Sequence, residues 1–246
     1  KENPDFLVIL GDLVGRGREE QQWVEHFWRP AEDLLATVPV YAVLGNHDEN
    51  SPMWHKMISL PGDPKHWPNW SQQVGPVLLV GIDGTQDFRP GRPKRQWLQE
   101  KLAQGDPEFI FLCSHYPPWA SAHHGKVDKR GMPREWQMRR ARRQLLPILT
   151  GAGGTAMLTG HEHCHERNEP PDLATHITTG GAGGVIRGRS RNPDKSSPHA
   201  RAFANRHHYS LVQTDGTTCT LTAVGIDGQV IDSRTWHQQQ PHATPK

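Results

Sequence analysis

Asn, His and Asp stand side by side in Gly45-Asn46-His47-Asp48, directly after the apolar run Val40-Tyr41-Ala42-Val43-Leu44. Such a run reads as a buried strand. The tetrad then sits at a strand's C-terminal end, where open α/β sheets place their ligands. Taken alone, Gly-Asn-His-Asp could equally be a turn, because Gly, Asn and Asp favour turns. Three more runs change that balance. Gly11-Asp12 follows Phe6-Leu7-Val8-Ile9-Leu10, His115 follows Phe109-Ile110-Phe111-Leu112-Cys113, and Gly160-His161-Glu162-His163 follows Thr155-Ala156-Met157-Leu158. Four strand ends that each deliver an amide, carboxylate or imidazole make a metal site by convergence. The mixed nitrogen and oxygen donors suit Zn, Mn, Fe or Co better than Ca or Mg.

The elements that must position these groups follow from the pattern. Strands are expected over 6–10, 40–44, 77–82, 108–113, 155–158 and 174–179. Helices are expected over 19–36, with Pro30 kinking or interrupting the first, over 52–60, over 93–102 with Pro93 at its first turn, and over 134–149. Trp136, Leu145, Leu146 and Leu149 form the expected buried face of the last, with Arg139, Arg140, Arg142 and Arg143 on its solvated side. The Trp- and Pro-rich stretch 61–73, the segment 115–131 and the Gly- and Arg-rich stretch 180–206 read as loops. A meander follows over 209–214, 217–226 and 229–233, with Asp215-Gly216 and Asp227-Gly228 as hairpin turns. Alternating strands and helices followed by strands alone describe an α/β sandwich.

The order Gly-Asp, Gly-Asn-His-Asp, lone His, Gly-His-x-His resembles the calcineurin-like metallophosphoesterases from about Asp5 to Gly184. The resemblance implies two mixed β-sheets packed as a sandwich flanked by helices. That family opens with an Asp-x-His motif on an earlier strand. Here the sequence begins at Lys1, a few residues before its first apolar run, and neither Glu2 nor Asp5 has a His two residues on. The expectation is an N-terminally incomplete domain over 1–236, its first strand missing, with a tail over 237–246.

By the same resemblance, Asp12 bridges two transition-metal ions, Asn46, His115 and His161 complete one of them, and His163 serves the other, whose two remaining ligands would come from the Asp-x-His strand. His47 is implied to be the general acid near the leaving group, with Asp48 orienting it and favouring its protonated form. Arg16 resembles the phosphate-contacting arginine of the serine/threonine phosphatase branch, although that branch has Asp where Gly15 stands. Gly160-His161-Glu162-His163-Cys164-His165-Glu166-Arg167, with Gly180-Gly181-Ala182-Gly183-Gly184, is most similar to the purple-acid-phosphatase side. Those proteins carry an aromatic where His165 stands and a metal-ligating Tyr where Gly15 stands, so no tyrosinate–iron centre is expected. Glu162 receives no role.

The implied activity is hydrolysis of small phosphate esters, monoesters first, by a metal-activated hydroxide. Two alternatives stay open: a phosphodiesterase, and a non-catalytic metal-binding or interaction module built on the same fold. The formal net charge of +2 sets up no global field for nucleic acid. No apolar run approaches the roughly 18 residues of a membrane span. The resemblance leans to an extracytoplasmic or secreted setting. Three cysteines make no disulfide framework. Cys113 reads as a buried small hydrophobe and Cys164 as a spare thiol.

Overall fold

The computed structural model describes residues 2–62 and 64–238. At its centre is a seven-stranded mixed sheet in the order β3-β4-β5-β6-β8-β7-β9. Its strands are β3 (Trp70–Val74), β4 (Val77–Gly81), β5 (Phe109–Ser114), β6 (Ala156–Thr159), β7 (His165–Asn168), β8 (Thr175–Thr179) and β9 (Ala200–Ala204). β4, β5, β6 and β8 run parallel. Both faces of this sheet are covered, which is why β4 and β5 bury every residue and read as unbroken apolar runs. Alternate side chains go opposite ways. Leu78, Val80, Leu112 and Met157 join one core cluster with Leu98, Leu145 and Leu149 of the helices α4 (Pro93–Leu102) and α6 (Leu146–Gly151) and the turn between α5 (Trp136–Arg140) and α6. Leu79, Phe111, Leu158 and Ile177 join a second cluster facing the other layer.

That other layer is built of two hydrogen-bonded units. β1 (Leu7–Ile9) and β2 (Val40–Ala42) pair in parallel, and β10 (His208–Thr214), β11 (Thr218–Gly225) and β12 (Val230–His237) form an antiparallel meander. Leu10 and Val43 from the first unit and Cys219 and Leu221 from the second share the cluster that packs on the large sheet. Outside β1 and β2 lie α1 (Glu20–Gln22), α2 (Arg29–Leu35) and α3 (Pro52–Met57); Trp54 of α3 and, from between α1 and α2, Trp23 and Phe27 pack in one cluster with Ala42 and Leu44. Ser51 caps α3 by accepting from the Trp54 N–H, with Pro52 in the first turn. The result is the expected α/β sandwich.

Two prolines leave the same mark. Pro30 does interrupt the first helix: a π turn, Trp23–Trp28, joins α1 to α2, and the Arg29 N–H reaches back to Val24. A second π turn, Ala141–Leu145, precedes Leu146-Pro147 between α5 and α6. A proline has no N–H to donate, and its ring collides with the carbonyl four residues back. Widening the turn just before it relieves both problems.

Several expectations need correction. Residues 70–73 are not loop but part of β3, antiparallel to β4, with Trp70 fully buried and bonded to the Ala42 carbonyl. The stretch 180–206 contains a short helix α7 (Pro193–Ser196) and β9, and β7 was not foreseen. Trp136 is 50% exposed, its ring covered by the Arg140 guanidinium at 4.7 Å rather than by the core. The neighbouring arginines are staples more than a solvated face. Arg142 donates to the Pro118 and Gly131 carbonyls, Arg139 to Asp128 and the Pro133 carbonyl, and Arg140 to the Thr85 carbonyl. β12 runs through His237, so the expected tail begins later; 239–246 lie outside the described residues.

One ion-pair cluster ties the meander to the large sheet. Asp232 of β12 accepts from His165 at 3.0 Å and from Arg167 at 2.8 and 2.9 Å, both on β7. Burial alone would raise this carboxyl, but the His165 and Arg167 hydrogen bonds outweigh it and hold it below the usual carboxylate range. Asp232→Ala should cost about 2–3 kcal/mol at neutral pH, because it strands two buried donors. The folded carboxyl is the stronger acid, so the unfolded chain takes up the proton first. The stability gap between wild type and variant should therefore be full above about pH 4 and narrow below it, as read by urea unfolding at stepped pH; a gap that widens on acidification would contradict this account.

Candidate metal centre

The C-terminal ends of β1, β2, β5 and β6 meet at one cleft. Asp12, Asn46, His47, His161 and His163 line it together with His123, His124, Glu162 and Arg187, around about 170 Å³. The meeting is tight, backbone against backbone. A Cβ on Gly160 would lie 2.7 Å from the Leu10 carbonyl oxygen, and one on Gly45 would collide with the Asp12 backbone and carboxylate. This is the physical reason each motif has glycine at that place. Asp12 and His161 both take left-handed backbone, at φ 57° and 63°. For side chains with a Cβ that costs roughly 1–2 kcal/mol per residue. Strain of this kind gathers where a side chain must be aimed.

His115, fully buried, holds the centre. Its Nδ1 lies 2.7 Å from the Leu10 carbonyl oxygen, which can only accept, so Nδ1 carries the proton. In the neutral ring that leaves a lone pair on Nε2. Around it stand Asn46 Oδ1 at 3.0 Å, Asp12 Oδ2 at 3.1 Å and His161 Nδ1 at 3.2 Å. His161 is fixed the same way. Its Nε2 lies 2.9 Å from the Glu135 carboxylate, so Nε2 carries the proton and Nδ1 offers a lone pair. Burial pushes the His161 imidazole down to about 4, which keeps it neutral. Burial works against the Asp12 carboxylate, and the His47 N–H donates to it at 2.8 Å. Four acceptors pointed at one another repel unless a cation lies among them. An ion roughly 2.0–2.2 Å from each donor would set neighbouring donors about 2.8–3.6 Å apart, from octahedral to tetrahedral geometry, a range that holds these separations. Asp12, Asn46, His115 and His161 fit such an ion.

A second close group, His124, Glu135 and His161, differs in kind. Glu135 accepts from His161 through one oxygen and from His124 Nδ1 through the other at 2.7 Å. Every proton there has an acceptor, so no cation is required. The two histidine contacts outweigh burial and hold Glu135 well below the usual carboxylate range, while Glu135 outweighs burial at His124 and raises it. Glu135 is thus the outer carboxylate of a carboxylate–histidine pair, which sets the tautomer and angle of His161.

The remaining expected residues divide. His163 lines the cleft but stands apart from the Asp12–His115–His161 group; its Nδ1 donates to the Val185 carbonyl at 2.9 Å, leaving Nε2 free. His47 also lines the cleft, its Nδ1 at 2.8 Å from the Gly15 carbonyl oxygen. Asp48 does not orient it. Its buried carboxylate accepts instead from the N–H groups of Asp12, Leu13 and Gly45 at 2.8–2.9 Å, clamping the β1 end to the β2 end. Burial pushes this carboxyl up to about 6. Arg16 points to solvent in a pair with Glu19 and does not line the cleft; the arginine that does is Arg187. Glu162 has a role after all. Its buried carboxylate accepts from the His123 and His124 N–H groups at 3.0 and 2.7 Å. Cys164 is buried and free, its thiol raised by burial.

The sequence carries the same signature as the fold. The family model for calcineurin-like phosphoesterases matches residues 1–165, and the chain belongs to that family. Among characterised relatives, human tartrate-resistant acid phosphatase type 5 is 26% identical over 247 aligned positions, covering 86% of this chain and 70% of the relative. The rat protein of the same name is 29% identical, covering 83% and 67%. Among solved structures, purple acid phosphatase PPD1 from yellow lupin seeds superposes with a TM-score of 0.81 at 18% identity over 94% of this chain; the chain spans 46% of the lupin protein. GAP50, the anchor in the inner membrane complex of Plasmodium, superposes at 0.69 with 17% identity, covering 96% of this chain and 80% of that one.

Glu135→Gln tests the outer pair. Affinity for Zn²⁺, measured by competition with a chelating dye, should fall about 10–100-fold, with the unfolding temperature of the metal-free chain nearly unchanged. Equal affinity in the two proteins would show that His161 needs no partner to hold its tautomer.

Proposed function

We propose that this chain is the metal-binding core of a phosphoesterase that hydrolyses small phosphate esters, monoesters foremost. The observation that carries the reading is the ring of acceptors about His115 Nε2, which a transition-metal ion would satisfy. Asp12, Asn46, His115 and His161 hold this ion. Among the described residues, Asp12 and His163 are side chains offered to a second. Ions so placed supply an acidified water and positive charge for phosphoryl oxygens. Zn, Mn, Fe and Co all suit the donor set.

The chain's own groups supply the rest. Arg187, at the cleft wall, pairs with the phosphoryl oxygens through its planar fork. His47 donates to the Gly15 carbonyl through Nδ1, so Nε2 is the atom that faces the leaving group. Protonated there, it hands its proton to the departing alkoxide oxygen. The Asp48 clamp and the Gly17 N–H bonded to the His47 carbonyl at 2.8 Å hold that backbone in place. Phosphodiester hydrolysis is the nearest alternative. The fold likeness to GAP50, an anchor by its description, keeps a non-catalytic module as the second reading.

Elemental analysis should find about one tightly held ion per chain of 246 residues, and p-nitrophenyl phosphate should turn over slowly, the second ion being mostly water-coordinated. His115→Ala should abolish ion and turnover together. His47→Ala should keep the ion and lower kcat by roughly 10²–10⁴. An ion bound in full with no phosphate ester hydrolysed would favour the anchor-like module, and loss of the ion in His47→Ala would make His47 a ligand.

A further inference from the structure

A second cleft, about 330 Å³, opens outside the metal centre. Lys126, Arg134, Arg191 and Lys195 line it with Ser190 and Asn192, and no carboxylate does. None of the four cations has an acidic partner among the described residues. Four like charges left facing one space repel one another, which is a cost unless an anion answers them.

The two clefts are neighbours by chain geometry. His123 and His124 line the metal cleft, and Gly125 and Lys126 line the basic one. Arg134 lines the basic cleft, and Glu135 beside it bonds to His161. Arg187 lines the metal cleft, and Ser190 lines the basic one. Consecutive Cα atoms lie about 3.8 Å apart, so the chain passes directly from one cleft into the other between His124 and Gly125, and again over the three residues from Arg187 to Ser190.

The basic cleft is also fixed from beneath. Buried Glu166 accepts from the Ser121 N–H at 2.9 Å and hydroxyl at 2.6 Å, from Asn168 at 3.0 Å and from the Ser197 hydroxyl. The Ser190 N–H donates to the Ser121 carbonyl at 2.7 Å, and the Arg187 N–H to the His163 carbonyl at 3.0 Å. One buried carboxylate thereby ties together the two loops that carry the cations. Loops whose backbone is already fixed lose less freedom when an anion arrives.

We propose that this cleft receives a second phosphate of the substrate, so that the protein acts on small molecules bearing more than one phosphate. The inference rests on the phosphoesterase reading above. A nucleoside triphosphate and a sugar bisphosphate both supply a second phosphate within reach, and the kinetics below tell them apart.

The test uses the full chain and the variant R191E/K195E, with K126Q/R134Q as a milder pair should the first fail to fold. Calorimetry with β,γ-methylene ATP reads binding without turnover. Affinity should drop about tenfold in the variant and fall with added salt in wild type. Next, kcat/KM is measured for ATP against AMP and for fructose 1,6-bisphosphate against fructose 6-phosphate. At least one of the two ratios should fall about tenfold in the variant, and the one that falls identifies the substrate type. Unchanged affinity, or binding lost with both ratios unchanged, overturns the proposal. If no ester is hydrolysed by any form, the phosphoesterase reading fails, and calorimetry alone still decides whether the cleft holds phosphate.

Discussion

The hydrogen bond from His115 Nδ1 to the Leu10 carbonyl is the constraint on which the rest of the centre depends. Leu10 ends the β1 run in one layer, and His115 ends β5 in the other. The bond therefore staples the two layers at the edge where their strands finish, and the Gly160 N–H to the His115 carbonyl at 3.1 Å adds the end of β6. It also decides the chemistry. With the proton committed to Nδ1, Nε2 has only a lone pair to show to Asn46, Asp12 and His161. A fold that merely needed to satisfy buried polar groups would pair donors with acceptors. Here acceptors meet acceptors, on backbone held left-handed at two of the four residues. That arrangement is costly in the empty chain and becomes favourable once a cation binds, because ion binding repays the ordering of its ligands.

Around this ring, carboxylates replace the ladder hydrogen bonds that loops lack. Asp48 gathers three N–H groups, Glu162 gathers two, and Glu166 gathers an N–H, two hydroxyls and an amide. Bonds to an ionised acceptor are about twice as strong as neutral ones. A few buried carboxylates can thus fix long connections that no strand organises. Arg139 and Arg140 of α5 and Arg142 of the following π turn do the same from the opposite side, donating to carbonyls or to Asp128 of the segment between His115 and Arg134 or of the Thr85 loop.

This division explains what could be read from the sequence. The apolar runs that end in Gly-Asp, Gly-Asn-His-Asp and Gly-His-x-His are local, so the sandwich and the meeting of Asp12, Asn46, His115 and His161 were legible. Glu135 was not: twenty-six residues separate it from His161, and nothing nearby marks it as more than a helix-start carboxylate. Asp48 was given to its chain neighbour His47 because sequence shows adjacency, whereas the Asp48 carboxylate turns inward to Leu13, thirty-five residues away. Arg16 stands near a motif but points to solvent, and Arg187, in an aperiodic glycine-rich stretch, lines the cleft. β7, His165-Glu166-Arg167-Asn168, is polar throughout and buried largely by polar partners. It therefore lacks the hydrophobic period by which strands are recognised.

Charge balance sets an order on what the cleft can accept. Without an ion, a phosphate dianion entering between His47 and His163 would meet the carboxylates of Asp12 and Glu162, which line the cleft. Arg187 stands at the wall and cannot offset two carboxylates in a confined, partly dehydrated space, where each charge counts for more than in water. A dication among Asp12, Asn46, His115 and His161 reverses the local sign, and Arg187 then adds to an attraction instead of opposing a repulsion. The four cations line a cleft that adjoins this one where Gly125 follows His124. They draw polyanions toward this face whether or not the ion is present, but only the ion lets the reacting phosphoryl group settle against Asp12. Metal first and phosphate second is the sequence of binding that these charges impose.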